Sequence, residues 1–543
     1  MSPSTLFTNG RFFTGSGPAK DVPTFARCMF VEQGNISYIG DDVNHANTIA
    51  DARGAIVHDC QGRYILPSFI DAHNHILMFG QSLQKLNLEQ CTDLADIRAS
   101  IRSYAQQHPK LARMHCGGWM EYMTQGKVDA KMLDDLDPRP IFIDARDLHS
   151  CWCNTAAIEE MGGRDLQDPV GGGIQRDSAG TPTGVFSEAA CAFIIWPHLA
   201  KVASPPVRVE ALRRGIEALH AAGCTGFIDM AMDEIGWDAL CRLRHEERGR
   251  LPVHVAAHWI VKPTGTTQTD LEQVERAIEL MREFNAITSP DFRIAGIKLI
   301  CDGVVDSCTA ALLEPYNTDG SNADTLWEPE ALAAVVRAAD EAGLQCALHA
   351  IGDSAVKLAI DKLTDCGRSG SRHRIEHLEV TSPGDAARLA AAGITASVQP
   401  AHADPTLLKE WHRLLGPHRL TRAFAYREFA DAGANLAIGS DAPTASCDVL
   451  RNLYTGVTRK SVREPSNQTA MNTQHALSLC QAVTASSKGA AYSCFADTWV
   501  GSLSHGFEAN FVVVDFEWAP EKLLSAKLCQ TWYRGTKVFD GGP

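Results

Sequence analysis

The chain has 543 residues, 45% of them hydrophobic and 21% charged, which excludes a disordered, collagen-like or fibrous protein. Its 65 acidic residues against 50 basic ones leave a net charge of −15, which argues against a nucleic-acid partner or an anionic membrane surface. No apolar run is long enough to span a membrane, no basic-then-apolar leader opens the sequence, and the 17 cysteines include no C-x-x-C pair. The expectation is a cytoplasmic protein with reduced, buried thiols that acts on a small molecule, with a homodimer as the base-rate assembly.

In chain order, the first elements are short alternating runs, TLFTNGRFFTG and ARCMFVEQGNISYIG, which predict β-strands before residue 65. ILPSFIDAH (65–73) then opens a different pattern, an apolar run ending in polar residues. The next such run, CTGFIDMA (224–231), follows after about 150 residues, too long a gap for a plain loop in a compact domain. An insertion at 81–205 is therefore predicted, with PIFIDARDL (140–148) as a strand of its own, placed to cover the mouth of the main domain. VHVAAHW (253–259), FRIAGIKLI (292–300), LQCALHA (344–350), HRIEHLE (373–379), ITASVQPAH (394–402) and NLAIGSD (435–441) complete a set of eight runs. Helical stretches such as EALAAVVRAADEAG (330–343) separate them. Eight βα units predict an α/β fold, the (β/α)8 TIM barrel, over 65–496. EANFVVVDF and TWYRGTKVFDG predict strands again near the C-terminus. Segments 1–64 and 497–543 are thus expected to build one small β-sandwich.

Candidate chemistry gathers at the strand ends. His73 and His75 form H-x-H, and residues i and i+2 of a strand share a face, so both imidazoles can converge on one ion. His349 closes LQCALHA, His377 lies near the end of RIEHLE, and Asp441 ends the last run. In a parallel barrel all strand C-termini meet on one rim. A lone histidine is ordinarily a surface or satisfied core residue. Several imidazoles and a carboxylate buried together are costly unless they pair or bind a cation.

ILPSFIDAHNH, IKLICDG, LHAIGDSAV, RIEHLE, SVQPAHA and IGSDAP together resemble the amidohydrolase superfamily of metal-dependent hydrolases. Within it the resemblance is to amidohydrolase family 3, the branch that includes N-substituted formamide deformylases. DLHSCWCNTAAI, GGGIQRDSAGTPTGVFSEAA and GSLSHGFEANFVVVD carry the similarity through the rest of the chain. The resemblance implies that Lys298 is carboxylated and bridges two ions. His73, His75 and Asp441 would then surround one metal, and His349 and His377 the other. Zn2+ suits such N/O ligands, with Mn2+, Fe2+, Co2+ or Ni2+ as alternatives and one or two ions per chain.

The implied activity is hydrolysis of a non-peptide C–N bond in an amide, formamide or N-acyl amine, by attack of a metal-held hydroxide with Asp441 as the proton carrier. Glu376 and Asp353, beside His377 and His349, are expected to orient those rings. Trp119, His149, Asp302 and His402 are the candidate substrate contacts, although Trp119 fits the insertion's own core equally well. Asn510 stands where relatives carry an aspartate, which touches only the terminal domain. Alternatives are a mononuclear deaminase or cyclic-amidine hydrolase with Lys298 as a free amine, a decarboxylase on the same scaffold, and a metal-stabilised scaffold without turnover.

Overall fold

A computed structural model describes residues 4–16, 21–146, 150–169, 172–188, 190–318, 320–368 and 370–542. Eight parallel strands form one sheet in consecutive order. They are β1 (Phe69–Asn74), β2 (Cys224–Met232), β3 (His254–Ile260), β4 (Phe292–Ile300), β5 (Gln345–Ala350), β6 (Arg374–His377), β7 (Thr395–Val398) and β8 (Leu436–Ile438). Their near-continuous burial, complete along β1, β6, β7 and β8, is what a parallel sheet covered on both faces requires.

The sheet closes between β8 and β1. Asp441 donates its amide to His73 O at 2.7 Å, and His75 donates to Ala442 O at 3.0 Å. Gly439 permits this approach, because a Cβ there would lie 2.3 Å from the His73 nitrogen. The helices between strands show the expected stripe. In Pro329–Glu341, Leu332, Val335, Val336 and Ala339 are buried, and Pro329 opens the helix where a missing N–H costs nothing.

ILPSFIDAH is not one strand. Tyr64–Pro67 pairs antiparallel with Phe511–Asp515, and the chain breaks at Ser68 before β1 begins. The first half of that run belongs to a six-stranded sheet of order 536–540, 527–533, 511–515, 64–67, 11–16, 23–26. A four-stranded sheet, in the order 35–40, 28–32, 5–8, 56–59, shares its core with the six-stranded one. There Phe7 packs edge-on against Phe511 at 4.9 Å and Trp532 at 5.1 Å, so the two ends of the chain bury each other's aromatics. Asn510 is built into this region: its Oδ1 accepts from Arg534 N at 2.7 Å and its Nδ2 donates to Glu508 at 3.1 Å.

A second compact unit comprises 76–215 and 234–243, wider at both ends than 81–205. The reason is a close helix crossing: a Cβ on Gly80, in Ile76–Ser82, would fall 1.9 Å from Ala211 O in Pro205–Ala221. This unit has its own six-stranded sheet, in which Ile141–Ala145 pairs parallel with Met114–Trp119 and antiparallel with Ser150–Cys153. Among the described residues no helix is long and apolar enough to cross a membrane.

Candidate metal centre

The C-terminal ends of the barrel strands bring His73, His75, Lys298, His349, His377 and Asp441 to one rim. His73 presents Nε2 to Asp441 Oδ1 at 3.4 Å, and His75 Nε2 lies 3.0 Å from the same oxygen. The His377 ring sits 4.9 Å from that of His73 and 4.4 Å from that of His349. Ligand atoms of His73, His377 and Asp441 all lie within 4.8 Å of one another, and all three side chains are buried.

Two of these residues reach the site through unusual backbone. Alternation in β6 sends neighbours 376 and 377 to opposite faces, yet both side chains meet His73. His377 achieves this with φ 77°, followed by Leu378 at 53°, and Asp441 has φ 59°. Left-handed backbone at a non-glycine costs about 1–2 kcal/mol per residue, a strain that concentrates at functional sites.

The chain behind His73 fixes its ring. Glu376 Oε2 meets His73 Nδ1 at 2.7 Å, and the fully buried Arg374 donates to Glu376 Oε1 at 2.6 Å, to Ala72 O at 2.6 Å and to Ser397 Oγ at 2.8 Å. Glu376 therefore orients His73, not His377 as its place in the sequence suggested. Asp353 does not orient His349 either: its carboxylate accepts from Leu313 N at 2.9 Å as its helix begins. The neighbours of His349 are Gly303 O at 3.3 Å and Asp302 Oδ1 at 3.6 Å.

Asp302, a candidate substrate contact, is 1% exposed and accepts backbone N–H groups from Ala311, Ile351 and Gly352. It braces the loop after β4 against the loop after β5, and its carboxylate is committed there. Trp119 is likewise buried, packed against Trp152 at 5.9 Å within the core of the second unit. His149 lies outside the described residues. His402 does come to the site. Its Nδ1 pairs with Glu379 Oε1 at 3.0 Å, its Nε2 lies 3.5 Å from Asp441 Oδ2, and its ring stacks on His377. Glu379 escaped the sequence reading; its only signal is the H-x-E spacing after His377.

Burial dominates the electrostatics. It pushes His73 down to about 4 and His349 down to about 3, with the Lys298 ammonium adding to both. Lys298 itself is 2% exposed and is pushed down to about 8 by burial, against the pull of Glu376 and Asp441. For Asp441 burial acts upward, but His73 and His75 outweigh it and hold the carboxyl well below its usual range. For His402 burial acts downward and Glu379 outweighs it, so this ring is raised, opposite to His73 and His349.

The donor set fits a divalent cation. Imidazoles held neutral and a carboxylate held ionised are the protonation states that ligands need. His377 Nδ1 is buried with no hydrogen-bond partner among the described residues. His377 also belongs to a second convergent group with Glu379 and His402. His377 thus stands within reach of both ligand sets that the resemblance implied, its ring 4.4 Å from that of His349 and 4.9 Å from that of His73.

Comparison with known proteins agrees with this geometry. The chain is 28% identical to Protein LONG AFTER FAR-RED 3 of Arabidopsis thaliana over 557 residues, covering 98% of this chain and 91% of that one. It is 24% identical over 550 residues to the N-substituted formamide deformylase of Arthrobacter pascens, with 95% of each chain covered. An uncharacterized metal-dependent hydrolase from Pyrococcus furiosus superposes with a TM-score of 0.78 at 22% identity, covering 96% of this chain and all of that one, and so shares the fold. A model of the amidohydrolase family, the branch numbered 3, matches residues 57–539. With a barrel rim that gathers buried histidines around an ionised aspartate, this chain belongs to the amidohydrolase family.

Proposed function

We propose that this protein hydrolyses a non-peptide C–N bond, in an amide, formamide or N-acyl amine, with one or two divalent cations held by His73, His377 and Asp441 together with His75, His349 and Lys298. The observation that carries the proposal is the convergence of ligand atoms from His73, His377 and Asp441 in one buried cluster. The 24% identity to a formamide deformylase over nearly the whole chain supports the choice of bond. A bound cation of this kind supplies Lewis-acid polarisation of a carbonyl and lowers the pKa of water.

The chain's own groups do the rest. Asp441, ionised and reached by His75 and His402, is the base that accepts the proton of the attacking water and returns it to the leaving nitrogen. His402, held at Nδ1 by Glu379, presents Nε2 beside Asp441 to orient the substrate. Lys298 is read as a carbamate, because an ammonium buried among these histidines repels a divalent cation, whereas a carbamate supplies two oxygens. Zn2+ is the proposed ion.

The test is a panel of formamides and N-acyl amines assayed for released amine, with bound metal counted by elemental mass spectrometry on the same protein. Amine release that vanishes on chelation and returns with Zn2+ is the expected outcome. Full activity of metal-free protein refutes the reading. Ammonia released from amidines, with one ion per chain and no amide cleavage, replaces it with a mononuclear deaminase.

A further inference from the structure

Arg459 closes the helix Val449–Thr458 and is fully buried, yet it pairs with no carboxylate among the described residues. Its Nε donates to Met471 O at 3.1 Å, while Nη1 and Nη2 have no partner among those residues. The guanidinium cannot escape this by losing a proton, since arginine stays charged in proteins. The rings of Tyr426 and Phe424, at 5.3 and 6.0 Å from its Cζ, engage the π face and leave the in-plane donors unanswered. The carbonyls at the helix C-terminus offset part of the charge and not all of it.

Other orphaned polar atoms lie on the same helix and on a segment packed against it. Thr455 Oγ1, one helical turn before Arg459, is buried without a partner among the described residues, and so are both amide atoms of Gln399. Gln399 is tied to this spot from two sides. Its backbone carbonyl accepts from the Tyr426 hydroxyl at 3.1 Å, and the next residue, Pro400, packs on Gly456 of the Arg459 helix.

We propose that Arg459, Gln399 and Thr455 form a buried binding site for a small monovalent inorganic anion of halide size. The two Nη groups, the Gln399 amide nitrogen and the Thr455 hydroxyl are buried donors without partners among the described residues, carried by segments that pack on one another beside an unneutralised positive charge. Water can accept from such donors but cannot balance the charge, whereas an anion does both. Arg459 and Thr455 are 0% exposed and Gln399 1%, which selects a compact ion over an organic carboxylate. The site uses none of the proposed metal ligands.

The experiment compares thermal melting of the metal-loaded protein in sodium bromide and in sodium gluconate at equal ionic strength. Bromide crystals are examined for anomalous scattering at the Arg459 guanidinium. The expected result is a bromide peak there, together with a melting temperature that rises by about 2 °C once bromide reaches about 100 times its Kd. Because Arg459→Ala can fail to fold, Gln399→Glu is the discriminating variant. A built-in carboxylate should replace the ion, abolishing the bromide response without lowering the melting point measured in gluconate. Melting that is identical in the two salts, or density at Arg459 that scatters only as water, overturns the site. So does a Gln399→Glu protein that keeps the wild-type bromide response.

Discussion

Both compact units bury a cluster of acids and bases, and the two clusters end differently. In the insertion, Asp144 is 1% exposed and takes both Lys85, at 2.5 Å, and His115, at 3.0 Å, on a single oxygen. Each charge there has its partner inside the cluster. On the barrel rim, His73, His349 and His377 are driven toward neutrality, Asp441 is shared among three imidazoles, and His377 keeps a buried nitrogen without a partner among the described residues. The same residue types therefore build a brace in one unit and an open coordination site in the other. What separates them is whether the cluster satisfies itself.

That contrast is tested first where turnover should suffer most. Asp441→Asn keeps the size of the side chain and removes the proton acceptor, so kcat should fall by about 10²–10⁴ while the melting profile holds. A variant with wild-type kcat would show that the proton travels by another route. Lys298→Ala comes next. It removes the proposed carbamate, so bound metal should drop by one ion per chain and activity should largely disappear, with partial return on adding a short carboxylic acid to the buffer. Unchanged metal content and rate would leave a mononuclear site of histidines and Asp441.

A smaller loss is expected from Glu376→Gln, which acts chiefly through the His73 ring. Partners of this kind typically tune metal affinity by about 10–100-fold. A metal titration should show that weakening, with kcat recovering at saturating Zn2+. A variant that binds metal as tightly as wild type would reduce the Arg374–Glu376–His73 chain to a packing feature.

The contrast also explains what was legible in the sequence. His73, His75, His349, His377 and Asp441 could be read because each sits at a strand end, and strand ends of a parallel barrel share a rim by construction. Lys298 lies within its strand, two residues before the end of β4, so only resemblance singled it out. The partners were harder. Glu376 lies next to His377 in sequence but serves His73, a contact between β6 and β1 across 303 positions that no local pattern encodes. Glu379 with His402 is likewise a contact between successive loops, and Asp302 with His349 one between a loop and the next strand, both settled by how the barrel brings its rim together. The run 65–73 misled for a related reason: apolar periodicity cannot reveal that a chain changes sheets at Ser68 without turning.

The smallest effect on turnover should come from the self-satisfied cluster. Burial acts to raise the Asp144 carboxyl, but Lys85 and His115 outweigh it and hold it below its ordinary value. Between the depressed folded value and the unfolded one, the unfolded chain binds more protons, so stability rises with pH across that interval. The contribution is complete above the unfolded carboxylate pKa of about 4 and drains away as pH falls toward the folded value. Asp144→Asn abolishes it and leaves Lys85 and His115 without their acceptor. It should cost about 1–3 kcal/mol at neutral pH, as for a buried group deprived of its partner, and leave kcat where it was. Denaturant unfolding at pH 7 and again near pH 3 reads the sign: the gap between wild type and variant should narrow at the lower pH. A gap that widens on acidification, or a variant that stays folded and loses turnover and metal together, would mean that the insertion's cluster serves the chemistry and is not a brace.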